Sequence, residues 1–344
     1  MVHTGGVRTS ILRSALPASL LALSLVLTGC GGGEEEKKPA SGETSSAPEP
    51  EVPATWPLTG EETDTEVELD HPVVVAKIDN SKSSAPQVGL GKADMVVEEL
   101  VEGGITRLAA FYYSRLPKEI GPVRSMRASD IGIVTPVDAV IAASGAAAPT
   151  IGRLDEAGVK FFTEGGPGYF RKQGRYAPYN LFTSLAAVGK AAEDGKNERP
   201  ADYLPWGTPQ DLPEGAVATT IAADFGRHTT NWQFKNGTYV NTNSFAAEGD
   251  RFKPDTVLVL RVDVVDAGYR DPAGNFVPES RFRGGGQAQL FHNGTVVEGE
   301  WSKKKLSSPL KLTTAEGTLK VPAGKVWIEL VPVDSAGGSV TFGK

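Results

Sequence analysis

Cysteine is almost absent from this chain: Cys30 is the only one in 344 residues. An intrachain disulfide is thereby excluded, and so is a cage of thiolate ligands for a metal. Histidine is scarce as well. His71, His228 and His292 are the only ones beyond His3, and none belongs to an HExxH pattern. Neither GxSxG nor a Walker loop occurs. Lys and Arg number 35 against 42 Asp and Glu, a poor balance for a nucleic-acid binder, whose affinity rests on neutralising phosphates. No uncharged apolar run reaches the roughly 20 residues that a membrane-crossing helix needs. No metal or cofactor is expected, and no standard catalytic motif points to an enzyme.

What is present begins with an address. Arg8 and Arg13 precede an uncharged apolar run at 15–27 (ALPASLLALSLVL), the layout of a signal peptide. Leu27, Thr28, Gly29 and Cys30 then form a lipobox, so 1–29 reads as a cleaved signal and Cys30 as a lipidated residue carrying acyl chains of the palmitate class. Loss of Arg8 and Arg13 takes the formal net charge from −7 to −9. A chain this acidic is weakly repelled by anionic headgroups, so the lipid must make the membrane contact. Residues 31–54 (GGGEEEKKPASGETSSAPEPEVPA) offer almost nothing to bury and read as a disordered stalk, assigned to 30–55. As a coil it reaches on the order of 25–30 Å. The expected location is the outer face of the bacterial cytoplasmic membrane, with no nucleic-acid partner.

Beyond the stalk, the pattern predicts an α/β N-terminal domain with a mixed sheet over 56–200 and a smaller all-β C-terminal domain over 214–344. Residues 71–80 (HPVVVAKIDN) read as a buried strand ending in polar residues, and 94–101 and 105–114 as a hairpin about Gly103-Gly104. Helices are expected at 128–134, 150–157 and 180–193, and strands at 139–143 and 159–163. After a proline-rich junction at 195–213, strands are expected at 217–234, 256–265, 285–292, 295–301, 310–313 and 326–331. Asn293-Gly294 and Asn236-Gly237 are hairpin turns in this reading, and Gly284-Gly285-Gly286 marks a bulge or a close backbone approach. The first strands of the C-terminal part are candidates to complete the N-terminal sheet.

Two constellations carry possible chemistry. Arg124 and Arg127, placed on one side of a starting helical turn, suit a phosphate or carboxylate, because a guanidinium fork binds oxyanions bidentately. Internal pairing with Asp130, Glu102 or Glu98 is the competing reading. Glu98, Glu102 and Arg107 flank the glycine turn, with Asp79 and Asn80 at a nearby strand end. On an extended strand Glu98 and Glu102 would share a face and, with Asp79, could act as acid and base on a glycan or hold a cation. They could equally close an ion network around Arg107. At 169–180 (YFRKQGRYAPYN), Arg171, Arg175, Tyr176 and Tyr179 could line a carbohydrate face or simply pack.

The blocks VVVAKIDN, APQVGLGKADMVVEELVEGGITRL, IGPVRSMRASD and APYN, with GGGQAQLFHNGTVVEGEW and VPAGKVWIELVP near the end, resemble the YerB-like bacterial lipoproteins, whose two domains have no assigned function. The resemblance implies a lipobox, a stalk, an N-terminal α/β domain and a C-terminal β domain. It also implies a histidine where Tyr179 stands, a departure that counts against a general base there. Two functions remain open: binding of an anionic cell-wall ligand or an envelope-assembly partner through Arg107, Arg124, Arg127 and Asn80, or an enzyme acting on an envelope glycan through Glu98, Glu102 or Asp79.

Overall fold

A computed structural model of the chain describes residues 54–64, 68–193, 195 and 198–344. The expected signal peptide, Cys30 and nearly all of the stalk lie outside the described residues.

Strands dominate. The first part of the chain supplies β1 (Val74–Asn80), β2 (Met95–Leu100), β3 (Thr106–Tyr112), β4 (Val140–Ala142) and β5 (Phe161–Phe162). It also carries α1 (Asp130–Val134), α2 (Ala148–Glu156) and α3 (Leu185–Ala192), the three α-helices among the described residues. Next come β6 (Ala216–Val217), β7 (Thr220–Asp224), β8 (Thr229–Lys235), β9 (Thr238–Asn241), β10 (Thr256–Val262), β11 (Val264–Arg270) and β12 (Phe276–Ser280). The chain ends with β13 (Gly284–His292), β14 (Thr295–Lys303), β15 (Lys311–Thr314), β16 (Gly317–Thr318), β17 (Val326–Pro332) and β18 (Ser339–Gly343).

Twelve of these strands form one mixed sheet in the order β16-β15-β14-β13-β10-β17-β2-β3-β1-β4-β5, with β6 paired to β14. The seam between the two halves of the sequence is the parallel pair β17 and β2, with Glu329 opposite Glu98. It is thus a strand near the end of the chain, and not the first strands after the junction, that joins the N-terminal strands. Of those first strands, β6 pairs with β14 in the far half of this sheet, while β7, β8 and β9 join the last strand, β18, in a separate antiparallel sheet of four.

The central strands are buried on both faces, which accounts for continuous apolar runs such as VVVA and MVV. On one face Val75, Val97, Phe111 and Ile328 pack with Ile131 and Ile133 of α1 and Leu154 of α2. On the other, Val74, Val96 and Tyr112 share a layer with Leu185 and Val188 of α3 and with Ile221, Trp232 and Tyr239 of the four-stranded sheet.

Both Asn-Gly turns form as expected. Asn293 and Asn236 take φ of 49° and 52°, with Gly294 and Gly237 also left-handed, and each turn joins paired strands. The glycine run at 284–286 is a close approach, since a Cβ on Gly286 would lie 2.4 Å from the Arg261 carbonyl oxygen. Two expectations need correction. Leu181–Thr183 is a strand paired with Tyr169–Arg171, not the start of a helix, because all three residues are buried and α3 begins only after Ser184 caps it. The single strand expected over 217–234 is broken by the turn at 225–228, where Gly226 has φ of 98°.

Candidate functional site

At the carboxyl end of β1 the sheet splits. β4 pairs with β1 only at Val74–Ala76, and beyond that point the segment 122–126 fills the gap. Asp79 donates its backbone N–H to Pro122 and Arg124 donates its own to Lys77, at 3.2 and 2.8 Å. On the segment's other side, Ser144 and Met126 close hydrogen bonds to Arg124 and Gly145. Carboxyl ends of diverging parallel strands are where α/β sheets place ligands.

A cleft of about 640 Å³ opens at this split, within the range of small-ligand sites. Its floor carries Arg107, Arg124 and Arg127 with Glu102. One wall is the uncapped N-terminal end of α2 at Gly145–Ala147, and the other is the β11–β12 ribbon with Tyr269, Arg270 and Asp271. The ribbon is tied to α2 by paired contacts of Arg153 with Glu279, at 2.6 and 2.7 Å, and by Tyr269 meeting Thr150 at 2.8 Å.

Alternation along the strands decides which side chains face this cleft. Lys77, Asp79, Glu99 and Arg107 share one face of the sheet, and Asn80, Glu98 and Thr106 the other. Arg107 is 4% exposed and donates to the Ser125 carbonyl at 2.8 Å. Burial, and then the neighbouring Arg127, push its guanidinium down to about 10. Arg127 holds Glu102 through Nε at 2.8 Å and through Nη2, and donates Nη1 to the Met126 carbonyl. Burial favours the neutral form of Glu102, but hydrogen bonds from Arg127 and the charges of Arg107 and Arg127 outweigh it and hold the carboxyl below its usual range. Glu102 is therefore an anion at neutral pH and a poor proton donor. Arg124 forms an ion pair with Asp79 at 2.9 Å and lies over the Tyr179 ring, 5.3 Å from its centroid.

The structure thus brings together Arg107, Arg124, Arg127, Glu102 and Asp79. It does not bring in Glu98 or Asn80. Asn80 donates to Glu98 at 3.0 Å and to Thr106 at 2.9 Å on the opposite face. The expected shared face of Glu98 and Glu102 fails because β2 stops at Leu100, and the turn through Gly103 and Gly104, with φ of 76° and 71°, swings Glu102 to the arginines. The two loop arginines meet through an extended segment, since α1 starts only at Asp130. At 169–180 only Tyr179 reaches this site. Tyr176 is 89% exposed, Arg171 pairs with Glu164, and Arg175 binds the carbonyls of Ser84, Ala85 and Pro86.

Sequence reasoning missed two buried polar clusters in the central strands, one on each face of the sheet. Lys77, Glu99 and Asp130 are fully buried, with Lys77 Nζ 2.6 Å from each carboxylate. On the opposite face Glu98 lies beside Glu329, with Trp232 donating to Glu329 at 2.8 Å and Thr230 to Glu98 at 3.0 Å. The signal was available: a charged residue inside an otherwise apolar strand, as in VVVAKI, MVVEEL and VWIELV, marks a buried charge that needs a partner.

Residues 58–198 match the DUF3048 N-terminal domain and residues 218–328 the DUF3048 C-terminal domain, each described as a protein of unknown function. A Bacillus subtilis (strain 168) protein named "Putative lipoprotein YerB" is 28% identical over 300 residues, spanning 84% of this chain and 89% of that one. The crystal structure of the YerB protein from Bacillus subtilis matches with a TM-score of 0.70 at 24% identity, over 84% of this chain and 99% of that chain, and so shares the fold. Matched over both of its domains and similar to the YerB-like lipoproteins along most of its length, this chain belongs to the DUF3048 family.

Proposed function

We propose that this protein is an envelope lipoprotein, tethered by a lipidated Cys30 to the outer face of the cytoplasmic membrane, whose arginine cleft binds an anionic cell-wall ligand. In this reading 1–29 is the signal peptide and 30–55 the stalk. Residues 56–200 then serve as an α/β domain and 214–344 as a β-rich domain, the second lending the ribbon that walls the first one's cleft.

The observation that carries it is the charge count at the cleft. Arg107, Arg124, Arg127 and Arg270 line the cleft with Glu102 and Asp271, so four guanidiniums meet two carboxylates on its surface, while Asp79 pairs with Arg124 from behind and Asp266 lies 3.7 Å from Arg270. A partly desolvated cationic excess attracts an anion more strongly than the same charges do in open water. The commitment of Glu102 and Asp79 to arginines, and of Glu98 to the far face, supports binding over glycan hydrolysis.

Two measurements test this. Cys30→Ser is expected to move the protein from the membrane fraction to the soluble fraction, because a transferred acyl chain contributes about 0.8 kcal/mol per buried methylene. Retention in the membrane fraction would sink the anchor. Wild-type protein is expected to sediment with cell walls bearing anionic polymers, and not with walls stripped of them. The pair Arg124→Ala and Arg127→Ala should abolish sedimentation. Equal sedimentation of both proteins with both wall preparations would sink the binding reading.

A further inference from the structure

We propose that the group taken by the cleft is a phosphodiester and that Arg124 is the residue that grips it, with Asp79 and Tyr179 as its positioning residues; this rests on the anion-binding reading. The three arginines are not equivalent. Arg127 has Nε and both Nη groups committed to Glu102 and the Met126 carbonyl, and Arg107 is fixed to the Ser125 carbonyl with its other Nη 3.7 Å from Glu102. They set the potential of the cleft. Arg124 differs: its Nε is 2.9 Å from Asp79 and its Cζ lies over the Tyr179 ring, while neither Nη group has a hydrogen-bond partner among the described residues. Its side chain is 25% exposed, and its backbone is held on both edges by Lys77 and Ser144. A fork oriented at its base and face, with its outer edge free, suits two oxygens of one oxyanion.

Shape narrows the oxyanion. Donors reach the cleft from several directions: Arg124 from the floor, the hydroxyl pair of Ser125 and Ser144, 3.2 Å apart and with one proton left over, from beside α2, and Arg270 from the ribbon. A carboxylate gripped by the guanidinium fork offers its remaining lone pairs in that same plane, whereas a tetrahedral phosphorus carries oxygens out of it. Ala147 and Pro272 leave apolar surface for the ester carbons.

The test uses the full-length chain in phosphatidylcholine nanodiscs, titrated with a glycerol-phosphate hexamer and with hexagalacturonate. The hexamer is expected to bind at least about tenfold more tightly than the polycarboxylate. Arg124→Ala and Arg124→Lys should each weaken the hexamer about tenfold or more, since lysine keeps the charge and loses the fork. Tyr179→Ala should weaken it while Tyr179→Phe, which restores the ring, should not. If Arg124→Ala fails to fold, the lysine variant carries the result. Competition by phosphatidylglycerol in the discs would identify a lipid headgroup as the source, and its absence a soluble polymer; both keep the phosphodiester. Equal binding of hexagalacturonate, or full binding by Arg124→Lys, overturns the proposal and leaves the anion cleft standing. No binding of either anion removes both.

Discussion

Lys77→Met is expected to be among the most destabilising single changes in the molecule, costing about 3–5 kcal/mol, because it strands two buried carboxylates without their cation. Lys77, Glu99 and Asp130 are completely buried. Even with Lys77 in place, burial, with repulsion from Asp130 adding to it, keeps the Glu99 carboxyl above its ordinary range. The ammonium thus balances a site that carries one carboxylate too many, and its loss leaves Glu99 with the Ser129 side chain and Asp130 with one backbone N–H in place of water. The cleft should loosen in the same variant, since Asp130 also accepts the Arg127 backbone N–H at 2.7 Å and so fixes the turn that aims Arg127 at Glu102. For a domain of this size the loss corresponds to roughly 10 °C in the thermal midpoint. Replacing the whole triad by Lys77→Met, Glu99→Gln and Asp130→Asn should recover much of it, because no buried charge is then unpaired. A midpoint for Lys77→Met within about 2 °C of wild type would show that the triad is not a stabilising network.

The second large effect is a dependence of stability on pH set at the seam between the two halves of the chain. Glu329 and Glu98 are opposite one another on parallel strands and both fully buried. Trp232 donates to one oxygen of Glu329 at 2.8 Å, and the Glu98 carboxyl and the Trp327 indole flank the rest of the group. The nearest basic group to the pair is His228, whose Nε2 is 3.4 Å from Glu98. Burial, and then the proximity of Glu98, push the Glu329 carboxyl well above its ordinary value of 4.5. The folded pair therefore keeps a proton that the unfolded chain releases. Below pH 4.5 both states hold it, and the seam contributes its full stability. As pH rises past that value the unfolded chain deprotonates first, so stability falls until the folded pair itself ionises, by about 1.4 kcal/mol per pH unit within that window.

Glu329→Gln should remove this slope. The amide keeps an acceptor for Trp232 and offers Glu98 a permanent donor. Thermal midpoints compared between pH 5 and pH 8 should fall less in the variant, by about 3 °C per pH unit. Parallel slopes in the two proteins would show that the shared proton contributes nothing to the seam.

Much of the architecture was legible because it is local. The Asn-Gly turns follow from residues that tolerate left-handed backbone, and the long strands from β-branched apolar runs. The arginine group was legible in part. IGPVRSMR and EGGITR display their guanidiniums openly, but spacing along a presumed helix misstated how Arg124 and Arg127 meet. The ribbon wall with Tyr269 and Arg270 was not legible at all. It lies more than a hundred residues from the floor it covers, and its own sequence carries only the signal of an exposed hairpin.

Before any folding, the sequence alone fixes composition: one cysteine, Cys30, directly after Leu27, Thr28 and Gly29, in a chain with more carboxylates than cations. Alternation within a strand also separates Asp79 from Asn80 and Glu98 from Glu99, but which of them share a face with Arg107 needed the pairing of β1, β2 and β3. Tertiary structure decided what each charge meets. Whether Glu102 closes on Arg127, Glu98 on Glu329 or Lys77 on Asp130 depends on which strands become neighbours and where a turn leaves the sheet. Pairing energies depend on distance and on burial, and neither is written in local sequence. The free outer edge of Arg124 is the product of that sorting: Arg107 and Arg127 turn Nη groups to partners within the fold, whereas Arg124 meets Asp79 through Nε alone.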